Sequence, residues 1–444
     1  MDIIQFEDKN LAHYSYAIIS EGQMALVDPA RDPEEYYKLA KERGANIVAV
    51  LETHPHADFV SSHLEIHKAT GAVIYVSKLL SADYEHTTFD EGDKIRMGNI
   101  TLKALNTPGH SPDSICIIAV NEAEKEEAVF TGDTLFIGDC GRPDLRESAG
   151  AITAGRRQLA SAMYYSLRDK LMTLADDTLV YPAHGAGSLC GRGLSENNTS
   201  TIGIEKASNW SLQKLSEEEF IEELLRNQPF VPKYFTYDVD LNKKGAENFK
   251  KSISGINISE TIPSELNDHI IIDARDRSLF AKGHFKNAIN LMNDAKFETW
   301  LGSIIAPQEK FYLIAESEEE VLSLIGRVAR IGYEPQVLRA FITKEMKGET
   351  TSPLNLNTFR ENTGNFTVLD VRNPSEVEEN VYFEGSINIP LYELRERVNE
   401  IPTGKPLVVH CAGGYRSAAG ASIIKAKLNG ASQVFDLSEA IKTF

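Results

Sequence analysis

From residue 1 to about residue 235 the chain alternates short apolar runs with Gly, Asp and Pro breaks. Met24-Ala25-Leu26-Val27 stops at Asp28-Pro29, and Ile47-Val48-Ala49-Val50-Leu51 and Ala72-Val73-Ile74-Tyr75-Val76 follow. Apolar runs of this length between turn-forming residues read as buried strands. The stretches Pro33 to Arg43 and Arg157 to Leu174 read as helices between them. Roughly Pro229 to Lys251 carries two prolines and many polar and charged residues, and reads as a linker.

Beyond it lies a weak internal repeat. Ile270-Ile271-Ile272-Asp273-Ala274-Arg275 matches Thr367-Val368-Leu369-Asp370-Val371-Arg372, and Ala288-Ile289-Asn290-Leu291 matches Ile387-Asn388-Ile389-Pro390. Each half then has a buried run, Phe311-Tyr312-Leu313-Ile314 or Leu407-Val408-Val409-His410, followed by a helical stretch. Strand, crossover, strand and helix in this order indicate parallel α/β units. A cluster of Gly, Thr, Ser and Pro between Lys347 and Pro353 marks the boundary between the repeats.

A length of 444 residues fits about three domains, with boundaries expected at 1–235, 252–346 and 354–444. Apolar content of 42% and charged content of 25% suit a globular protein with full cores. The net charge of −19 repels phosphates, which argues against nucleic acid or an anionic membrane as a partner. It leaves room for a small anionic substrate, because one Arg or one metal ion overrides the global field locally. Cys116, Cys140, Cys190 and Cys411 show no paired spacing, as expected of free thiols in a reducing compartment. The first residues show no signal-peptide pattern, and no run approaches the roughly 20 apolar residues of a membrane span. A cytoplasmic protein is expected.

The candidate chemistry sits at strand ends. Thr53-His54-Pro55-His56-Ala57-Asp58 crowds two imidazoles and a carboxylate into one loop. Pro108-Gly109-His110-Ser111, Thr131-Gly132-Asp133-Thr134 and Tyr181-Pro182-Ala183-His184 add three more groups. A lone loop histidine is usually a solvated residue, whereas four such clusters at strand ends converge on one sheet edge and point to a metal. Near the C-terminus, His410-Cys411-Ala412-Gly413-Gly414-Tyr415-Arg416-Ser417 places a cysteine between a buried strand and a helix start. Backbone N–H groups, including those of Gly413 and Gly414, and the helix N-terminus then stabilise negative charge on the sulfur. Such a sulfur is a nucleophile without a neighbouring base.

The order of the first four motifs resembles the metallo-β-lactamase superfamily, which implies an αβ/βα sandwich. That family's first motif normally continues with His after the Asp, where this chain has Phe59. Loss of that ligand favours one metal over two. Within the superfamily the chain looks most like the persulfide dioxygenases, which implies one Fe(II) per chain on His54, His110 and Asp133. A face of two His and one carboxylate leaves open positions for O₂ and a thiolate-like sulfur. His56, Asp58 and His184 would then orient ligands and waters.

Gly138-Asp139-Cys140-Gly141-Arg142-Pro143-Asp144 resembles the family's Cys-Gly-Arg turn. Arg142 there is either a partner for a substrate carboxylate or sulfonate or one half of a structural salt bridge. Cys190, in a Gly-rich loop past His184, resembles the loop of thiosulfate-forming members and is expected near the substrate in a catalytic role; the alternative is a buried apolar role. Cys116 reads as core and Cys140 is open. Tyr164 falls where the dioxygenases carry a Tyr near iron, with helix packing as the alternative.

The Cys411 loop, with four residues between Cys411 and Arg416, resembles the active-site loop of rhodanese sulfurtransferases, and Asp370-Val371-Arg372 resembles their Asp-x-Arg. A related phosphatase loop is one residue longer, so the spacing speaks for sulfur. Cys411 and Arg416 are the expected catalytic pair, with Gly413, Gly414 and Tyr415 lining the substrate. Asn380-Val381-Tyr382 departs from the family's usual Gly-His-Ile. The middle repeat has Ala315 at the nucleophile's position, followed by Glu316, Ser317, Glu318, Glu319 and Glu320, and is expected to be a catalytically silent rhodanese-like domain acting as spacer or docking surface.

Together these resemblances imply an α/β protein in which a metallo-β-lactamase-like dioxygenase precedes two rhodanese-like domains with parallel sheets. Its expected partners are a small-molecule thiol persulfide, O₂ and sulfite, and its expected assembly a homo-oligomer. The competing expectations are a metal-dependent thioester hydrolase fused to a rhodanese, and a sulfur-relay scaffold.

Overall fold

The computed structural model describes residues 1–145, 155–263, 266 and 269–444. They fall into two compact units. One comprises Met1–Lys251 with Ala329–Gly332, and the other Ser252–Val328 with Tyr333–Phe444.

The first unit is built on two six-stranded sheets. The first sheet runs Asp2–Asp8, His13–Ser20, Gln23–Val27, Asn46–Leu51, Val73–Val76 and Thr87–Thr88. The second runs Ser200–Thr201, Leu179–Pro182, Glu126–Gly132, Ile115–Val120, Ile100–Asn106 and Lys94–Met97. Side-chain alternation decides how they stack. In Ile115–Val120, Ile115, Ile117 and Ala119 join Tyr16, Ile18, Val27 and Leu51 of the other sheet in one core cluster. Cys116, Ile118 and Val120 point into a second cluster with Met163, Leu167, Phe220 and Leu224. On the opposite outer face, Leu26, Val50 and Ala17 pack with Tyr36, Ala40 and Ile66, from the helices Glu34–Arg43 and His63–Thr70. Two sheets face to face with helices on both outer faces form the αβ/βα sandwich. Cys116 and Cys140 both lie in the outer cluster, buried, and burial pushes the Cys116 thiol up to about 11.

The stretch read as a linker is structured. Residues Phe235–Lys244 and Phe249–Ser254 are helical. Asn242, on the first of these helices, donates to the carbonyls of His56 and Phe59, each at 2.8 Å, and accepts from the Ser61 N–H at 2.8 Å. Polar composition suggested a linker because this helix turns only a few buried residues, Phe235, Asp238, Val239 and Asn242, toward the sandwich.

The second unit contains two parallel sheets. One orders Ile258–Ser259, Val337–Ile342, Phe311–Ala315, Ile270–Asp273 and Ala288–Asn290. The other orders Val434–Asp436, Leu407–His410, Thr367–Asp370 and Ile387–Asn388. The last four strands of the first sheet follow the order of the second, so the sequence repeat is a structural repeat. Its polar signature repeats too. Arg275 pairs with Asp273 and Arg372 with Asp370, both at 2.6 Å and both buried. Asn290 and Asn388 each bridge the carbonyls on either side of that pair, Asp273 and Arg275 or Asp370 and Arg372. The boundary segment around residues 347–353 is tied back to the middle fold, where Glu349 and His284 exchange backbone bonds and the Thr351 N–H reaches the Ala281 carbonyl.

Candidate metal centre and cysteine loop

In the first unit the strand ends converge. His54 follows Asn46–Leu51, Asp133 follows Glu126–Gly132, His184 follows Leu179–Pro182, and His110 lies in the loop after Ile100–Asn106. His54, His110 and Asp133 are all buried, and their donor atoms lie within 4.8 Å of one another. His110 Nε2 is 3.4 Å and His54 Nε2 3.8 Å from the same Asp133 oxygen. Neither Asp133 oxygen accepts an N–H or O–H hydrogen bond. A buried carboxylate left without such donors is costly unless a cation faces it. Two imidazoles and this carboxylate therefore fit one divalent metal.

The ligand set is oriented from behind. Thr53 Oγ1 is 2.8 Å from Asp28 Oδ2 and 3.0 Å from His54 Nδ1. A hydroxyl has one proton, and the carboxylate can only accept it, so His54 must donate from Nδ1. That leaves the Nε2 lone pair of His54 on the Asp133 side. Gly141, in the turn after Asp133, lies so close that an added Cβ would come within 2.0 Å of the Asp133 carbonyl oxygen and 3.0 Å of His110 Nδ1. Any larger residue there would push on both ligands.

His56, Asp58 and His184 form a second buried cluster beside the first. His56 Nε2 is 3.1 Å from Asp28 and 3.6 Å from Glu52. Burial works against a charged His56, but the Asp28 carboxylate, then Glu52, outweigh it and raise its pKa to about 9. His184 Nε2 is 3.4 Å from Asp58 and 3.6 Å from Asp133. The Asp58 carboxyl is pushed up by burial, with His184 opposing. The His13 ring lies against Phe59, with centroids 3.8 Å apart.

Asp28, Glu52 and His13 escaped the sequence reading. Asp28 was visible as the stop of an apolar strand, the same signal that marks the ligands. Glu52 directly precedes the motif, but His13 opens a strand with no motif around it.

Cys190 reaches this centre. Its sulfur and the donor atoms of Asp133 and His184 lie within 4.8 Å of one another. Burial, then the charges of Asp58 and Asp133, pushes its thiol well up. Arg142 fixes the loop that carries it: its backbone N–H donates to the Cys190 carbonyl at 2.9 Å, and its guanidinium reaches the Leu189 carbonyl at 3.3 Å. The other guanidinium bonds go to Asp144, at 2.7 and 2.6 Å, and to the Phe230 carbonyl. Of the two roles weighed for Arg142, this geometry is that of the structural ion pair. Tyr164 likewise packs on its helix, its hydroxyl donating to the Leu215 carbonyl and its ring under Arg168.

In the second unit, Cys411 ends the strand Leu407–His410 and is buried. The Gly414 N–H donates to its sulfur at 3.1 Å. Gly414 has φ +98°, a left-handed conformation that glycine alone adopts at ease, and it caps the helix Tyr415–Leu428. Arg416 makes two bonds to Glu376, at 2.5 and 2.7 Å. Its edge is thus occupied by a carboxylate. The Tyr415 hydroxyl donates to the Met292 carbonyl, so what Tyr415 offers the loop is backbone. Where the rhodanese-type Gly-His-Ile is missing, the Asn380 carbonyl accepts from Arg372 at 2.7 Å and Tyr382 covers its guanidinium. The equivalent middle loop is filled from within: the Glu316 N–H bonds the Glu320 carboxylate at 3.0 Å.

A buried His and Asp cluster at the strand ends of a two-sheet sandwich defines a metal-binding enzyme fold, and a cysteine cradled at a parallel strand end defines a second centre. Residues 9–184 match the metallo-β-lactamase superfamily and residues 356–444 the rhodanese-like domain. The persulfide dioxygenase ETHE1, mitochondrial, of Homo sapiens is 30% identical over 203 residues, 45% of this chain and 70% of that protein. A probable hydroxyacylglutathione hydrolase of Schizosaccharomyces pombe is 34% identical over 178 residues, 39% of this chain and 63% of that protein. A crystal structure of a metallo-β-lactamase from Staphylococcus aureus subsp. aureus COL is 30% identical, covers 77% of this chain and 99% of its own, and superposes with a TM-score of 0.69. The chain belongs to the metallo-β-lactamase superfamily, and it carries a rhodanese-like domain at its C-terminal end. Among the described residues no helix is long and apolar enough to cross a membrane.

Proposed function

We propose that the chain is a bifunctional persulfide dioxygenase and sulfurtransferase. The observation that carries this reading is the buried His54, His110 and Asp133 face, with Phe59 where a further metal ligand stands in two-metal relatives. These three residues would hold one Fe(II), which supplies open positions for O₂ and a thiolate-type sulfur. Cys190, His184 and Asp58 line the same space, and Thr53 and Asp28 hold His54 in its donor tautomer. The net reaction takes a thiol persulfide, O₂ and water to the free thiol and sulfite, with the terminal sulfur oxidised and O₂ reduced.

In the second unit Cys411 would take sulfane sulfur from another persulfide and release the thiol. Sulfite then attacks the outer sulfur of the Cys411 persulfide, the S–S bond breaks, and the Cys411 thiolate and thiosulfate leave. The middle fold, with Ala315 in place of the cysteine and Glu320 in its own loop, serves no such turnover. The domain division that goes with this reading is 1–235, 252–346 and 354–444, with the helix at Phe235–Lys244 added to the first.

Replacing Cys411 by Ser tests the coupling. O₂ uptake with a small thiol persulfide is retained while product shifts from thiosulfate toward sulfite; unchanged thiosulfate sinks it. A second reading rests on the intact His56, Asp58 and His184 cluster and on the hydroxyacylglutathione hydrolase relatives: a two-metal thioester hydrolase. Two zinc ions per chain, thioester cleavage and no O₂ uptake would select it.

A further inference from the structure

Three consecutive residues at the end of the Cys411 loop each touch the middle fold. Gly414 lies against Arg277, where an added Cβ would come within 2.6 Å of the guanidinium, and Arg277 in turn bonds Ser438. The Tyr415 hydroxyl donates to the Met292 carbonyl at 3.0 Å. The Arg416 guanidinium stands over the Trp300 ring, 5.7 Å from its centroid. Trp300 belongs to the helix Phe297–Ile304 and is 8% exposed.

A guanidinium is planar, so two contacts fix it: one along an edge and one on a face. Glu376 takes the edge of Arg416 with two bonds. Trp300 takes the face, at a distance where the ring quadrupole attracts a cation. Arg416 follows by two residues Gly414, whose N–H donates to the Cys411 sulfur at 3.1 Å. The direction of the Arg416 charge at Cys411 is thus set by one residue from each half of the repeat.

We propose that Trp300, from the middle fold, is a positioning residue that holds Arg416 toward Cys411. This rests on the sulfur-transfer reading for its biological meaning, but its physical content is separable from it. The middle fold has Ala315 at the position of the cysteine and presents Trp300 to its neighbour's loop.

The test uses the full chain, Trp300→Leu and Trp300→Phe. Leucine keeps apolar bulk without the π face, and phenylalanine keeps the face. Two readouts run in parallel. The first is alkylation of Cys411 by anionic iodoacetate and by neutral iodoacetamide, followed by peptide mass spectrometry; the ratio of rates reports the Arg416 charge at the sulfur whatever the natural reaction. The second is the KM for sulfite in thiosulfate release. In Trp300→Leu the alkylation ratio falls about fivefold and the KM for sulfite rises about as much, with kcat within about twofold, while Trp300→Phe stays near the native chain. Equal ratios in all three proteins, or equal losses in Leu and Phe, overturn the proposal. A native chain whose Cys411 shows the alkylation pattern but never loads sulfur keeps the positioning role and refutes the sulfur-transfer reading instead.

Discussion

The His13 imidazole packs against the Phe59 ring with centroids 3.8 Å apart and planes 33° from parallel. This contact occupies the position next to Asp58, beside the cluster of His56, Asp58 and His184. Those three groups could hold a cation, and residue 59 beside them offers a phenyl ring in place of a further imidazole.

Phe59→His should therefore change metal stoichiometry. Loaded with zinc and passed through a desalting column, the native chain retains about one ion and the variant approaches two, read by plasma mass spectrometry. A variant that still holds one ion would show that His13, rather than the missing ligand, closes the second position.

The hydroxyl of Thr53 transmits the Asp28 charge to His54. Thr53→Val removes both bonds and frees the His54 ring to turn. Orienting groups of this kind contribute about tenfold or more to metal affinity, so chelator competition should show at least about a tenfold loss, with Thr53→Ser near native. Equal affinity in Val and Ser variants would mean that the loop backbone, held by Asn242, does the orienting alone.

What the sequence revealed and what it hid follow from the range of the contacts. His54, His110, Asp133 and His184 were legible because each lies just past an apolar strand and directly beside a Gly or Pro. The repeat was legible because Asp273-Ala274-Arg275 and Asp370-Val371-Arg372 each close a buried pair two residues apart. Asn242 reaches His56 across 186 residues, and Glu376 meets Arg416 across 40; no periodicity encodes such partners. Cys190 was placed near the substrate by its Gly-rich loop just past His184 together with the resemblance, and Arg142 was left between two roles until its bonds to Asp144 and the Cys190 loop were visible.

The bond from Arg416 to Glu376 makes an electrostatic prediction. Glu376 is a charge of the wrong sign for an anionic acceptor, and Arg416 holds its carboxyl below the usual range, although burial pulls the other way. Glu376→Gln keeps the shape and removes the charge. Loss of one repulsive charge at the edge of a protein is about 1 kcal/mol, so the KM for sulfite should fall about fivefold. A rise in KM would mean that the orientation of Arg416 outweighs its net charge.

His410, immediately before Cys411, gives the pH dependence. Burial lowers its pKa from 6.5 to about 4, with Asp370 opposing and Arg372 assisting. Its ring is enclosed by Tyr382 and Phe383. Between pH 6.5 and 4 the unfolded chain binds a proton at this position and the folded chain does not. The stability this group confers is therefore complete above 6.5 and is lost as pH falls toward 4, to a total of about 3 kcal/mol. Trp300 reports unfolding of this unit by fluorescence in a Trp210→Phe background. The urea midpoint should drop steadily from pH 6.5 to 4, and His410→Asn should flatten that slope while lowering the midpoint at neutral pH. His284 is also lowered to about 4 by burial, so the slope shrinks without vanishing. An unchanged slope in His410→Asn would show that the folded chain already carries His410 charged, against the burial seen around it.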